Sequence, residues 1–187
     1  MSGIIGDNTG RGTGLIKAAG GGGKVGQYLY TVSTANDQAS STLDTWIDVT
    51  NLNVAITPSA TNSILIVEYQ LCQAIGDKSY WGYGRVQRDI GGAGYGDWNH
   101  NVGDNTGATS TEEVSGGTSN DPYSDKHCNQ TGAKLKDSTH NTTSEVTYKV
   151  QFYLATGYNK INRSYNTANN DECMRTLSWI SVAEILA

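Results

Sequence analysis

The segment Glu145–Ala155, EVTYKVQFYLA, constrains the fold most: Val146, Tyr148, Val150, Phe152 and Leu154 alternate with Thr147, Lys149, Gln151 and Tyr153. Successive side chains of a strand point to opposite faces, so the pattern predicts a long strand with one buried and one wetter face. No stretch of comparable length carries a helical period. The chain is therefore expected to be all-β.

Other strand signals follow at short intervals. Tyr28, Tyr30 and Val32 alternate, and two further strands are expected at Trp46–Val49 and Val54–Thr57. The second should stop at Thr57-Pro58-Ser59, because proline has no N–H for a central ladder. The run Ile64-Leu65-Ile66-Val67 opens a strand reaching Ala74 and is apolar on both faces, which places it centrally in a sheet. Tyr80–Arg88 sets Trp81, Tyr83 and Arg85 on one face and Gly82, Gly84 and Val86 on the other, where small residues allow another sheet or chain to come close. Lys160–Tyr165 and Leu177–Leu186 complete the set. Between Asp89 and Ser144 the pattern dissolves into Gly, Asn, Asp, Ser and Thr, so this stretch reads as a long functional loop with room for short irregular strands. Many short strands with polar turns give an antiparallel β-sandwich or jelly roll.

The 187 residues suit one domain with an appendage. The first 26 residues hold ten glycines, ending Gly20–Gly23, and should have no fixed shape alone. Residues 1–25 are read as an N-terminal anchor arm, with Ile4, Ile5, Leu15 and Ile16 as apolar contacts and Arg11 and Lys17 as charges; residues 26–187 form the head. Three cations against Asp7 give residues 1–26 a charge of +2, leaving −7 of the total −5 on the remainder. That acidity argues against nucleic acid as the main partner. Eleven Tyr and four Trp against one Phe suit rims and subunit interfaces more than deep interiors.

No signal-peptide pattern opens the sequence and no apolar run nears membrane-spanning length, so a protein made in a cytoplasm without a cleaved leader is expected. Cys72, Cys128 and Cys173 are an odd set without metal-type spacing and are expected to be free thiols.

Catalytic and cofactor patterns fail in turn. Gly23-Lys24 has Ala18 where a phosphate loop needs glycine and Val25 where it needs a hydroxyl, and no G-x-S-x-G elbow occurs. His127-Cys128 has no second ligand pair, and Glu112-Glu113 and Asp171-Glu172 sit in polar loop sequence. Gly-Asp-Asn-Thr-Gly, at Gly6–Gly10 and again at Gly103–Gly107, is explained by turn chemistry. The reading is of a protein that is not an enzyme and needs no cofactor or metal. The better candidate for recognition is Trp81, Tyr83, Tyr95, Asp97, Trp98 and Asn99, flat rings beside amide and carboxylate groups. These residues fit either a ligand surface or packing in a core or between subunits.

Thr57-Pro58-Ser59 leading into Ser63–Val67, then Val146–Phe152, Ile161–Tyr165 and the ending Ser178, Ile180, Val182, Glu184, Ile185 together resemble the C-terminal domains of small virion proteins of tailed bacteriophages, particularly marine and cyanobacterial phages. The resemblance implies a β-sandwich head similar to tumour-necrosis-factor-like jelly-roll trimers, mounted on the particle by its arm and lacking catalytic residues. The expectation is a non-enzymatic homotrimeric virion knob, a head decoration or tail-fibre-like piece that contacts other virion proteins. The alternative is a receptor-binding module for host surface glycans.

Overall fold

The computed structural model describes residues 24–33, 38–41, 44–76, 81–96, 98, 116–119, 128–154, 158–163 and 176–186. Among these are ten strands: β1 Lys24–Val32, β2 Gln38–Ser40, β3 Trp46–Ile56, β4 Ile64–Gly76, β5 Trp81–Ile90, β6 Gly116–Ser119, β7 Asn129–Asp137, β8 Val146–Leu154, β9 Tyr158–Ile161 and β10 Trp179–Leu186. All the pairings are antiparallel.

One sheet runs β1-β10-β4-β7, and the other runs β3-β8-β5-β6. Gln73 pairs with Asn129 of β7 and with Ile161 of β9, so β9, with β2 beyond it, continues along the β10 side of β4 past Gln70, where β10 ends. Leaving out the short β2 and β9, the chain crosses between sheets in the order of an eight-stranded jelly roll.

The core lies between the sheets and follows the two-residue period. Val146, Tyr148, Val150 and Phe152 of β8 are all fully buried, facing Leu65, Val67, Tyr69 and Leu71 of β4 and Ile180 and Val182 of β10. The apolar run beginning at Ile64 is central as expected, with β10 on one side and β7 on the other. Gly84 fulfils the expectation of close approach: a Cβ there would lie 3.0 Å from the Tyr69 hydroxyl of the opposite sheet.

Three expectations are corrected. Trp46–Val49 and Val54–Thr57 are not two strands but one. Between Asp48 and Asn53 the register slips, with Asn51 at φ +56°, and the slip moves the buried set from Val49 to Leu52, Val54 and Ile56. The stretch 89–144 is not all loop, because β7 pairs with β4 over nine residues. Its polar sequence, NQTGAKLKD, hid it: only Leu135 is a large aliphatic, and the inward positions are otherwise filled by Thr131, Ala133 and Asp137. The first strand starts at Lys24, inside the expected arm.

One end of the core is polar. On a single rung, Leu65 pairs with Glu184 of β10 on one side and Asp137 of β7 on the other, and both carboxylates are fully buried. Asp137 accepts two hydrogen bonds from Arg88 Nη1 (2.8 and 2.7 Å), one from the Tyr148 hydroxyl (2.7 Å) and one from the Thr139 amide (2.9 Å). Arg88 and Tyr148 belong to the other sheet, so this carboxylate joins the two layers. Glu184 accepts from the Ser59 amide (2.7 Å), the Ser59 hydroxyl (2.9 Å) and Gln27 Nε2 (2.9 Å), fixing the crossover from β3 to β4.

Burial opposes ionisation of both acids. At Asp137 the hydrogen bonds from Arg88 and Tyr148 outweigh it, and at Glu184 those from Ser59, Ser63 and Gln27 do, so both carboxyls are held below their ordinary range. The same burial, together with the Asp137 charge and hydrogen bond, pushes the Tyr148 phenol well above its ordinary value.

Gly132 on β7 lies against β4, where a Cβ would run into the Tyr69 carbonyl oxygen. Gly132→Ala should therefore open the β4–β7 seam and cost about 2 kcal/mol of stability in equilibrium urea titrations. Gly96, with nothing near its Cβ position, should tolerate alanine within about 0.5 kcal/mol in the same urea titrations.

Candidate recognition and assembly surfaces

A sandwich offers two outer faces, and here they differ in chemistry. On the β3-β8-β5 sheet, the residues alternating with the core set are Trp46 and Asp48, then Lys149, Gln151 and Tyr153, then Tyr83, Arg85 and Gln87, brought side by side by the register. Trp46 and Tyr153 have ring centroids 5.3 Å apart, and Tyr153 and Tyr83 lie at 6.0 Å. The Arg85 guanidinium stacks on Trp46, 4.2 Å from the ring centroid, and its Nε–H donates to Gln151 Oε1 at 2.8 Å. Gln151 in turn donates to Asp48, which also pairs with Lys149 at 2.9 Å. The Tyr153 hydroxyl donates to Asp44 Oδ1 at 2.9 Å. Arg85 is only 8% exposed although it stands on an outer face, because ring and amide cover it.

After β5 the chain turns at Gly91–Gly94, and Gly96 bridges Arg88 through both backbone hydrogen bonds. The same alternation then separates two residues that the sequence placed in one surface cluster. Tyr95 points outward, 40% exposed, with Lys149 Nζ 4.2 Å from its ring centroid. Burial, and then the charges of Asp89, Asp48 and Glu145, raise its phenol. Trp98, two residues beyond Gly96, turns inward: it is 3% exposed, packs edge-on against Tyr148 with centroids 5.3 Å apart, and lies 5.7 Å from the Arg88 guanidinium. Trp98 is therefore a core residue and not part of a ligand surface.

Of the other expected site residues, Tyr83 lies in the ring cluster and Trp81 occupies a backbone position of β5 opposite Ser119. Asp97, Asn99 and the arm residues Ile4, Ile5, Arg11, Leu15, Ile16 and Lys17 lie outside the described residues. Trp46, Asp48 and Tyr153 were not expected in the cluster. Their signal was the wetter side of the opening segment, whose Gln151 and Tyr153 needed a cross-strand partner.

The outer face of the other sheet carries an apolar patch on its β1-β10 side and charged residues on its β7 side. Tyr28 and Tyr30 of β1 continue across Ala183 and Ser181 of β10 to Ile66 and Glu68 of β4 and then Lys136 and Lys134 of β7. Tyr28 is 60% and Tyr30 49% exposed, and Tyr30 leans on Trp179 with centroids 5.9 Å apart. Ile64 and Ile185 extend the patch along one end, and the Glu68–Lys134 ion pair borders it. β1 is an edge strand, and Val25 and Leu29 are exposed on it as well.

Among the described residues no three His, Cys, Asp or Glu side chains are placed to share a metal ion, and no helix is long and apolar enough to cross a membrane. His140 is buried, with Nε2 near Ser63 Oγ (3.5 Å) and the Ala60 carbonyl (3.4 Å).

No protein-family profile matches the chain, and neither does any curated protein. Among solved structures, infectious bursal disease virus, Gt strain, is similar at 11% identity and a TM-score of 0.38, covering 86% of this chain and 41% of that one. The Gx strain gives 10% identity and a TM-score of 0.34, with 87% and 41% covered. At these scores the likeness carries no argument, and the fold rests on the strand order itself.

Because Trp46 shields Arg85, Trp46→Ala should lower stability by about 2 kcal/mol through lost ring contact and cation–π stacking. Arg85→Lys keeps the charge but loses the planar stack and the Nε–H donor, and should cost about 1 kcal/mol in the same urea titrations.

Proposed function

We propose that this chain is a non-enzymatic structural protein of a bacteriophage particle, forming a homotrimeric surface knob of the head-decoration or tail-fibre kind. The observation that carries the reading is the apolar patch on the outer face of the β1-β10-β4-β7 sheet, centred on β1 and β10. An antiparallel sheet facing water on one side normally alternates apolar inward and polar outward, and this one places Tyr28, Tyr30, Trp179, Ile64, Ile66, Ala183 and Ile185 outward. Contiguous apolar patches with aromatic anchors and a charged border are the pattern of protein interfaces. Packing this face and the β1 edge against copies of the same chain would remove both from water. The number three and the phage particle come from the resemblance in sequence.

In this reading residues 1–25, the last two of which open β1, hold the knob to a capsid or tail protein, and the location is the virion. Neither a nucleic acid nor a membrane is a partner. A second reading, recognition of host surface glycans, is supported by Trp46, Tyr83 and Tyr153 beside Asp44 and Asp48: a sugar can lie on a ring face while carboxylates accept its hydroxyl protons.

Light scattering on the full-length protein should give three times the chain mass. Tyr30→Lys with Ile66→Lys should shift it to a folded monomer, with association weakened at least about tenfold, since each charge would be desolvated without a partner. A wild-type protein that stays monomeric at high concentration would refute the assembly. A glycan array tests the second reading: specific binding lost in Trp46→Ala supports it, and a flat array removes it.

A further inference from the structure

Cys72 and Cys128 are both buried and both free. Cys72 lies on β4 opposite Gln130, and Cys128 immediately precedes β7, so the two are diagonal neighbours on one face of the sheet. Their side chains hydrogen-bond to each other. Both also reach the same short segment before β10: Cys72 Sγ donates to the Leu177 carbonyl at 3.1 Å, and Cys128 Sγ lies 3.1 Å from Thr176 Oγ1.

The backbone around Cys72 is held firmly. Its amide donates to Ser178 Oγ (2.9 Å), its carbonyl accepts from the Asn162 amide (2.9 Å), and Ser178 Oγ donates to Asn162 Oδ1 (2.6 Å). Asn162 sits at φ +63° to make this turn. A sulfur on so fixed a strand has its neighbour set by the fold rather than by chance encounter.

The mutual hydrogen bond divides the two thiols. It draws Cys72 below its ordinary value against the opposing effect of burial, and with burial it pushes Cys128 above. The pair therefore loses its first proton as a unit, with the remaining S–H donating to the thiolate.

We propose that Cys72 and Cys128 form a peroxide-driven disulfide that staples β4 to the start of β7. The Cys72 thiolate attacks one oxygen of a small peroxide; the O–O bond breaks, hydroxide leaves, and a sulfenic acid forms on Cys72. The Cys128 sulfur then attacks that sulfenic sulfur, the S–O bond breaks, and the S–S bond forms. The two thiol protons leave with the two hydroxides as water, so two thiols are oxidised and one peroxide is reduced to two waters. The linkage would close a loop of about 56 residues at its base and restrict the unfolded chain. This step stands apart from the assembly reading, because it requires only one folded chain.

The test treats the full-length reduced protein with hydrogen peroxide, blocks remaining thiols with iodoacetamide and maps non-reduced peptides by mass. The expected result is a peptide pair joining Cys72 to Cys128, two hydrogens lighter than the sum of its parts, with Cys173 alkylated. The unfolding temperature of the oxidised form should rise by on the order of 10 °C and fall back on reduction. Cys173→Ser should leave both results unchanged, and Cys128→Ser should abolish both. Three alkylated cysteines after peroxide, a linkage through Cys173, or oxidation stopping on Cys72 with Cys128 still alkylated would overturn the proposal.

Discussion

The architecture depends on one buried carboxylate. Asp137 ends β7 in one sheet and takes its hydrogen bonds from Arg88 and Tyr148 in the other, so it holds the layers in register at the end of the core where hydrophobic contact gives way to polar groups. Removing an acid from water costs several kcal/mol, and only multiple well-aligned donors offset that. Here Arg88 Nη1, the Tyr148 hydroxyl and the amide and hydroxyl of Thr139 supply four. Once they are in place the arrangement is self-reinforcing: Tyr148 is fixed by its hydroxyl, Trp98 packs on Tyr148, and Arg88 lies near the Trp98 ring. Glu184 repeats the device on the other side of Leu65, tying the crossover from β3 to the sheet that receives it.

How much of this was legible in the sequence follows from the range of each signal. The alternation in Val146–Leu154 set the all-β class and identified four core residues correctly, because burial on one face is a local pattern. The run at Ile64 announced a central strand for the same reason. The strand β7 was invisible because its inward positions are Thr131, Ala133, Leu135 and Asp137, a set that reads as polar until Arg88 and Tyr148 are brought opposite. A carboxylate satisfied by Arg88, 49 residues away, and by Tyr148, 11 away, leaves no local trace.

The same limit governed the candidate surfaces. Tyr95 and Trp98 are three residues apart and were grouped by composition, yet the bridge at Gly96 sends them to opposite faces. Trp46 and Tyr153, more than a hundred residues apart, meet through strand pairing that composition does not encode. What composition did carry was the abundance of tyrosine. Tyr28, Tyr30 and Tyr95 stand exposed, Tyr83 and Tyr153 are half-buried, and Tyr148 is buried with its hydroxyl satisfied. Tyrosine here serves as a residue that works on both sides of the sandwich wall.

Equilibrium unfolding of the wild type and Asp137→Asn across pH tests the central claim most directly. The folded-state carboxyl is held below its unfolded value, so its stabilisation is fully present above about pH 4 and is lost as pH falls through the folded-state value. The account predicts that the substitution costs about 3 kcal/mol at neutral pH and flattens the acid limb, leaving the smaller slope due to Glu184. Equal stability at neutral pH together with an unchanged acid limb would contradict it.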